Sequence, residues 1–598
     1  MSRLSSTAGE RLHVTGSLLT DALLSSRSTV ATRKPSARSD PSQSIAAGQD
    51  ALSRSAWEEA TAAFERALGE REDPRAFEGL GLAAWWLDRT SVVFESRERV
   101  YRLYREEGNA RAAARVAVWL AWDYQAFRGE PAVARGWLGL ARQLLHDDTC
   151  STEFAWLSIR EAVLVLFMDG NPDGATLRAR QAVAAARAAG SRDYELLGIA
   201  VEGLARVTSG EVADGMRMLD DVSAAIISGE MTEPLVIGLA GCYLLSACDR
   251  VRDYDRAAQW CGRIKAFCVR WGLRQLFAVC RTQYAAVCLW NGEWNEAERE
   301  LVAAVDEFNA SRPAMSVEGA ARLGELRRRQ GRLDDAQELF DRAKTHPLAV
   351  VGRAALALDR GEAASAADLA ERYLRAVPVQ NRTERVAALE LLTRAKLSLG
   401  LVADARAAVE ELESIASDAA TLPLISIARL GRGLIESADG QLENARRAYE
   451  DAVDGFERSA AMYEAARARL ELATVLSASG RVDVATREVL HALDGFTRLS
   501  ATLDRSRAEH QLAAMNGSTA NTSNGSTSMP STQSPLSRRE REVLGLIAVG
   551  LSNQRIAEQL FISEHTVHRH IANVLAKLDV SSRSAAVARA IKMGVLES

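Results

Sequence analysis

GEWNEA at Gly292–Ala297, GRLDDA at Gly331–Ala336, GQLENA at Gly440–Ala445 and GRVDVA at Gly480–Ala485 share one pattern. Each has Gly, an apolar residue two places later and Ala five places later. Tracing the same mark along the chain gives Ser55, Arg89, Gly129, Gly170, Gly210, Arg252, Gly292, Gly331, Gly361, Gly400, Gly440 and Gly480. The intervals run 34, 40, 41, 40, 42, 40, 39, 30, 39, 40 and 40 residues. Nine of the twelve marks are Gly and ten of the twelve fifth-after residues are Ala, a regularity that chance does not give. Gly closes a helix in the left-handed conformation and lets the chain reverse. The apolar residue at +2 (Trp57, Trp294, Leu333, Leu442) covers the hairpin end, and Ala at +5 lets the next helix pack closely.

A repeat of about 40 residues is two helices of about fifteen residues plus turns, which cannot bury its apolar face alone. Stacked, such hairpins form a superhelix with an extended concave surface. The array resembles tetratricopeptide-like repeats, with longer helices than the 34-residue form. Only eight prolines fall between residues 46 and 515. Apolar residues there recur at three- and four-residue spacing, without period-two β-branched runs, so the predicted class is all-α.

Outward from the array the composition changes. Residues 1–45 hold eleven Ser, a net charge of +3 and no apolar periodicity, predicting a disordered tail. They also lack the continuous apolar core of a secretory signal. Residues 516–535, NGSTANTSNGSTSMPSTQSP, carry no charge and read as a flexible tether spanning about 25 Å. Residues 536–598 hold nine Lys/Arg and six Asp/Glu. The whole chain of 598 residues is at −5, so the array carries −11. A small basic unit on an acidic body suits one module that meets nucleic acid and one that does not. Of 74 basic residues only six are Lys, which points to a GC-rich genome rather than to phosphate binding.

The C-terminal unit reads LSRREREVLGLIAVGLSNQRIAEQLFISEHTVHRHIANVLAKLDVSSRSAAVARAIKMGVL over residues 536–596. Ser537 and Glu540 form a capping box for a first helix that Gly550 ends. A second helix runs from Asn553 to Leu560 after Ser552, and a third from Glu564 to Lys577 after Ser563. A fourth follows Ser582 and runs to about Met593, with Gly594 as stop. Val567, Ile571, Val574 and Leu578 make one apolar stripe on the third helix. His565, His568, Arg569, Ala572 and Asn573 occupy the opposite face. Ala557 leaves room for the second and third helices to cross, as a helix-turn-helix requires.

The string is similar to the LuxR-type (NarL/FixJ-like) helix-turn-helix, with REREVL, GLSNQRIAEQLFISEHTVHRHI, NVLAKL and SR in matching positions. That resemblance implies a tetrahelical unit on double-stranded DNA, with the third helix in the major groove and the fourth mediating dimer contact. His568, Arg569 and Ala572 or Asn573 would then face base edges, and Asn553, Thr566, Lys577 and Arg583 the DNA backbone. The family usually has Lys or Arg where this chain has His568, so charge there depends on pH.

Large LuxR regulators that combine helical repeats with this unit often carry an ATPase. Here no Lys follows a Gly, so the GxxxxGK[ST] loop is missing. A first mark at residue 55 leaves no room for a receiver domain. The expected protein is a bacterial, cytoplasmic, sequence-specific transcriptional regulator, a homodimer through the helix-turn-helix, with no membrane span. The array would take a protein or small-molecule effector. The rival reading is an interaction scaffold whose C-terminal unit dimerises without reading bases.

Six cysteines crowd between Cys242 and Cys288 without zinc-ligand spacing, and read as small buried hydrophobes. All eleven Trp lie in the array, where helix packing accounts for most of them and an aromatic-lined groove is the alternative. No nucleophile elbow, HExxH or paired-carboxylate motif is present, so no catalytic, metal or cofactor residue is assigned. Calorimetry with ATP and Mg²⁺ is expected to return no stoichiometric binding in the micromolar range; a saturating isotherm there would contradict the missing-loop reading.

Overall fold

The computed structural model describes residues 41–522 apart from 272–273, and 536–593 apart from 537, 550, 561–563, 579 and 581. The described residues are all-α: twenty-five helices from Pro41–Ser53 to Thr502–Thr522, then four more from Arg538–Ala548 to Arg583–Lys592.

Eleven of the twelve sequence marks have positive φ. The exception is Arg89, which caps the following helix at φ −83°, while its neighbour Asp88 takes the left-handed turn. The turn chemistry repeats. At Gly440 the next amide, Gln441 N–H, reaches back to Glu436 O at 2.8 Å, and Ala445 N–H then closes onto Gln441 O at 3.0 Å. Arg332 to Arg327 and Arg481 to Leu476 do the same at 2.9 Å each. This reach-back is the Schellman bond, which satisfies a carbonyl the helix end would otherwise leave open. The +2 residue is thus the first residue of the second helix, as in Leu333–Arg342 and Leu442–Arg458.

All ten +5 alanines are buried, Ala60, Ala134, Ala175, Ala297, Ala336, Ala366, Ala405, Ala445 and Ala485 completely and Ala257 nearly so. At the same position Gly215 lies so close to the facing helix that a Cβ would meet Gly203 O at 2.5 Å. The other end of the repeat also turns left-handed, on Gly108, Gly190 and Gly229 in earlier repeats and on Lys344, Ala420, Ala460 and Ser500 in later ones.

Successive superhelical turns touch. Arg312, 1% exposed, donates from Nε to Asp88 at 2.8 Å and from Nη2 to Trp85 O at 2.5 Å, across 227 residues of sequence. Further along, Arg250 pairs with Glu384 at 2.5 Å, Thr421 Oγ1 donates to Val251 O at 2.9 Å and Trp290 Nε1 to Ser459 O at 2.7 Å. The glycine ends themselves form the contact. A Cβ on Gly331 would meet Thr502 Oγ1 at 2.2 Å, and one on Gly292 would meet Leu499 at 2.9 Å.

Charges bind the inner helices together. Arg322 joins Glu318 and Asp249, each at 2.9 Å. Arg467 joins Glu464 at 2.7 Å and Glu390 at 3.4 Å, while Arg329 reaches Glu464 at 3.2 Å. Burial opposes ionisation of Glu464, yet Arg467 and Arg329 hold its carboxyl below the ordinary value. Removing one member of such a buried set costs about 3–5 kcal/mol, because a charge is left without its partner.

Two sequence expectations shift. The first helix starts at Pro41, inside the stretch read as tail; it buries Ser44, Ile45, Gly48 and Ala51, a face too small in side chain to register as apolar periodicity. The last array helix continues to Thr522, past 515, and 523–535 lie outside the described residues. Helix Pro234–Val251 is long and apolar enough to be a candidate membrane span, but 67% of its apolar window is buried inside the array.

Cys248, Cys261, Cys280 and Cys288 are buried and Cys242 half-buried; Cys150, outside the cluster, is exposed, and the Cys268 side chain lies outside the described residues. Burial pushes the Cys261 thiol up to about 12 and the Cys288 thiol up to about 11, so both are thiols at neutral pH.

Gly440 has open space around it, and Ala460 is exposed at φ 54°. Gly440→Ala is expected to lower stability by about 1–2 kcal/mol through backbone strain alone, and Ala460→Gly to raise it by up to about 1 kcal/mol. Urea unfolding midpoints of the two variants check the pair; shifts of the same sign would contradict the turn account.

Candidate nucleic-acid interface

The C-terminal unit is built on two apolar clusters. Val543, Ile547, Ile556, Ala557, Val567 and Ile571 join the first three helices. Leu536, Leu544, Val574, Leu578, Ala586 and Ala590 join the first, third and fourth. Helix Asn553–Leu560 and helix Glu564–Leu578 meet through Ala557 and the Val567/Ile571 turn. The stripe read from the sequence is therefore the buried side of the third helix: Val567, Ile571, Val574 and Leu578 are all buried. On the opposite side His568, Ala572 and Asn573 are exposed. A helix with one side locked into two clusters and the other bare has the geometry needed to enter a groove.

Caps fix the shorter helices. Ser582 accepts from Ala585 N–H at 3.2 Å, and Ser552 from Arg555 N–H at 3.4 Å. Ser537 and Ser563 lie outside the described residues. Arg539 Nη2 donates to Leu560 O at 2.7 Å and so closes the end of the second helix from the first.

Three of the residues assigned by resemblance come together. Arg583 Nη1 donates to Asn553 Oδ1 at 2.8 Å, and its Nη2 to Leu551 O at 3.2 Å. With its oxygen taken, Asn553 presents Nδ2 to His568 Nε2 at 2.8 Å. One polar chain thus crosses from the start of the fourth helix, through the start of the second, to the exposed side of the third. Thr566 and Arg569 lie on the third helix; their side chains are outside the described residues.

Lys577, which the resemblance assigns to the DNA backbone, is tied within the domain: Nζ donates to both oxygens of Glu540, at 2.7 and 2.6 Å. Glu540 is a buried carboxylate on the first helix. Its burial makes it demand a cation, and Lys577 supplies one to both oxygens. Sequence reading gave Glu540 to a capping box with Ser537 and missed this tie. The available signal was a carboxylate on the apolar side of an amphipathic helix, three residues before buried Val543.

Comparison with known proteins converges on this unit. Residues 534–590 match the model of the family described as bacterial regulatory proteins, luxR family. Spore germination protein GerE of Bacillus subtilis is 48% identical over 62 residues, which is 10% of this chain and 84% of GerE. Transcriptional regulatory protein DegU of Brevibacillus brevis is 51% identical over 59 residues, and the nitrate/nitrite response regulator protein homolog of Haemophilus influenzae 63% over 51. The matches cover 10% and 8% of this chain and only 25% and 24% of those relatives. Across the array, a chain of the crystal structure of the APC/C hetero-tetramer Cut9–Hcn1 covers 81% of this chain and 91% of its own, at TM-score 0.43 and 13% identity. Through a C-terminal domain that spans most of GerE, the chain belongs to the luxR family of bacterial regulatory proteins.

Proposed function

We propose that the protein is a sequence-specific transcriptional regulator that reads the major groove with helix Glu564–Leu578. One observation carries this reading: the helix buries Val567, Ile571, Val574 and Leu578 and leaves His568, Ala572 and Asn573 bare on the other side. Arg569, adjacent to His568, supplies the permanent charge, and Arg pairs bidentately with guanine O6 and N7. Asn573 offers an amide suited to adenine. In this reading Asn553, Thr566 and Arg583 would contact the phosphates that position the helix.

Dimerisation runs through the fourth helix, where Ile591 and Met593 are exposed apolar side chains at its end. The array, residues 46–515 in the sequence division, acts as the sensor or partner platform, joined to the DNA-binding domain by the 516–535 tether. In this reading the protein acts in the cytoplasm, at the nucleoid, and performs no catalysis. Bound genomic sites mapped in the host supply the operator, and mobility shifts of the full chain on operator and random duplexes then test base reading. Equal affinity for both would favour the scaffold reading.

Roles within the helix separate in the same assay. Arg569→Ala is expected to cost about 1–3 kcal/mol on the operator and to relax preference at one base pair, with little change on random duplex. Lys577→Ala removes the ammonium that braces Glu540. It is expected to lower the thermal stability of the C-terminal domain by about 1–2 kcal/mol, the half-exposed Lys moderating the loss. Unchanged stability with a salt slope reduced by about one unit would instead return Lys577 to a phosphate.

A further inference from the structure

Arg583, Asn553 and His568 form a line in which the hydrogen-bond roles run in one direction only. A guanidinium has donors and no acceptor. Arg583 Nη1 lies 2.8 Å from Asn553 Oδ1, so the oxygen of the Asn553 amide is the atom turned toward the arginine. Arg583 is held in turn by its Nη2, which donates to Leu551 O at 3.2 Å. The other end of the amide, Nδ2, is therefore the atom that meets His568 Nε2, at 2.8 Å. An amide nitrogen only donates, so Nε2 accepts and carries no proton. The ring's one proton then sits on Nδ1. An imidazolium at this place would set an N–H against the Nδ2 N–H, with the guanidinium one amide beyond.

The position of the ring gives this order its meaning. His568 is exposed on the bare side of helix Glu564–Leu578, while Asn553 and Arg583, which begin the second and fourth helices, are half-buried. Among the described residues His568 makes no second hydrogen bond. One nitrogen is thus anchored to the domain behind it, and the nitrogen that bears the proton is open. In the major groove a single directed donor suits guanine, which offers N7 and O6 side by side. Cytosine presents only an amino group there, adenine sets one beside N7, and thymine O4 stands beside a methyl group.

We propose that His568 reads a guanine through Nδ1–H as an uncharged imidazole, with Asn553 and Arg583 as positioning residues that fix its tautomer and ring plane. Arg583 keeps further N–H groups for phosphate, so the two roles are compatible. The residue then adds to sequence preference and not to the salt-dependent attraction that Lys or Arg would supply. The proposal deepens the base-reading role of helix Glu564–Leu578 and rests on it.

The test uses the full chain with isotope-labelled histidine nitrogens, His568→Gln identifying the ring signals by magnetic resonance. His568 is expected to show the coupling pattern of the Nδ1–H tautomer. Asn553→Asp keeps an acceptor for Arg583 but turns a second acceptor to the ring, and is expected to place a proton on Nε2. In mobility shifts, His568→Ala is expected to relax preference at one G·C pair about three- to tenfold, with the salt slope unchanged. Asn553→Ala is expected to relax the same pair, and to change it no further when added to His568→Ala. Should Asn553→Ala fail to fold, the ring signals of the native chain and of Asn553→Asp still decide. An Nε2–H tautomer in the native chain, a salt slope lowered by about one unit in His568→Ala, or a different pair relaxed by Asn553→Ala would each overturn the proposal. Base preference unchanged in His568→Ala, while operator is still chosen over random duplex, sinks the histidine and leaves the regulator reading. Equal affinity of the native chain for operator and random duplex sinks both.

Discussion

A left-handed turn that recurs about every 40 residues is the constraint on which the rest of the protein depends. It ends one helix, supplies the reach-back bond from Gln441 to Glu436 and its equivalents, and starts the next helix within two residues. That brevity forces the two helices of a hairpin together, which is why the fifth residue on is a buried Ala at ten of twelve marks and Gly at 215, Phe94 being the exception after the displaced mark at Arg89. It also brings the hairpin end flush with the next superhelical turn. Gly331 and Gly292 have no space for a Cβ because Thr502 and Leu499 stand there. One turn thus sets backbone conformation, intra-hairpin packing and contact between superhelical turns.

Much of this was legible in the sequence because it is local and periodic. The marks, the +5 alanines and the stripe on helix Glu564–Leu578 each recur at fixed short spacing. What was illegible is non-local or sits on side chains with no turn signature. Arg312 to Asp88 spans 224 residues, and nothing near either residue announces the other. In the later repeats the second set of left-handed turns falls on Lys344, Ala420, Ala460 and Ser500, whose sequence carries no glycine signal. At Arg89 the mark was displaced by one residue, since Asp88 takes the turn. In the C-terminal domain the helices and their buried stripe followed from spacing. The pairing of Lys577 with Glu540 and the Arg583–Asn553–His568 chain did not, because each joins helices whose crossing only the fold supplies.

The two parts of the chain are held by different physics. The array spreads its stability over many small hairpin interfaces and adds buried ion sets such as Arg467 with Glu464 and Glu390. The C-terminal domain relies on two compact apolar clusters, so its few polar ties carry more of the geometry. Lys577 on Glu540 ties the third helix to the first, while Arg539 on Leu560 O and Arg583 on Asn553 tie the second helix to the first and the fourth. A recognition surface of this kind needs side chains held from behind, since displacement of about 1 Å is enough to lose a bidentate base contact.

The central claim, that the exposed side of helix Glu564–Leu578 lies on base edges, is tested most directly by placing a photocrosslinker at Ala572 in the full chain. Irradiation with operator DNA is predicted to give crosslinks confined to one major-groove position in each half-site, removed by competing operator and not by random duplex. Crosslinks scattered along any duplex, or absent while DNA is still bound, would contradict it.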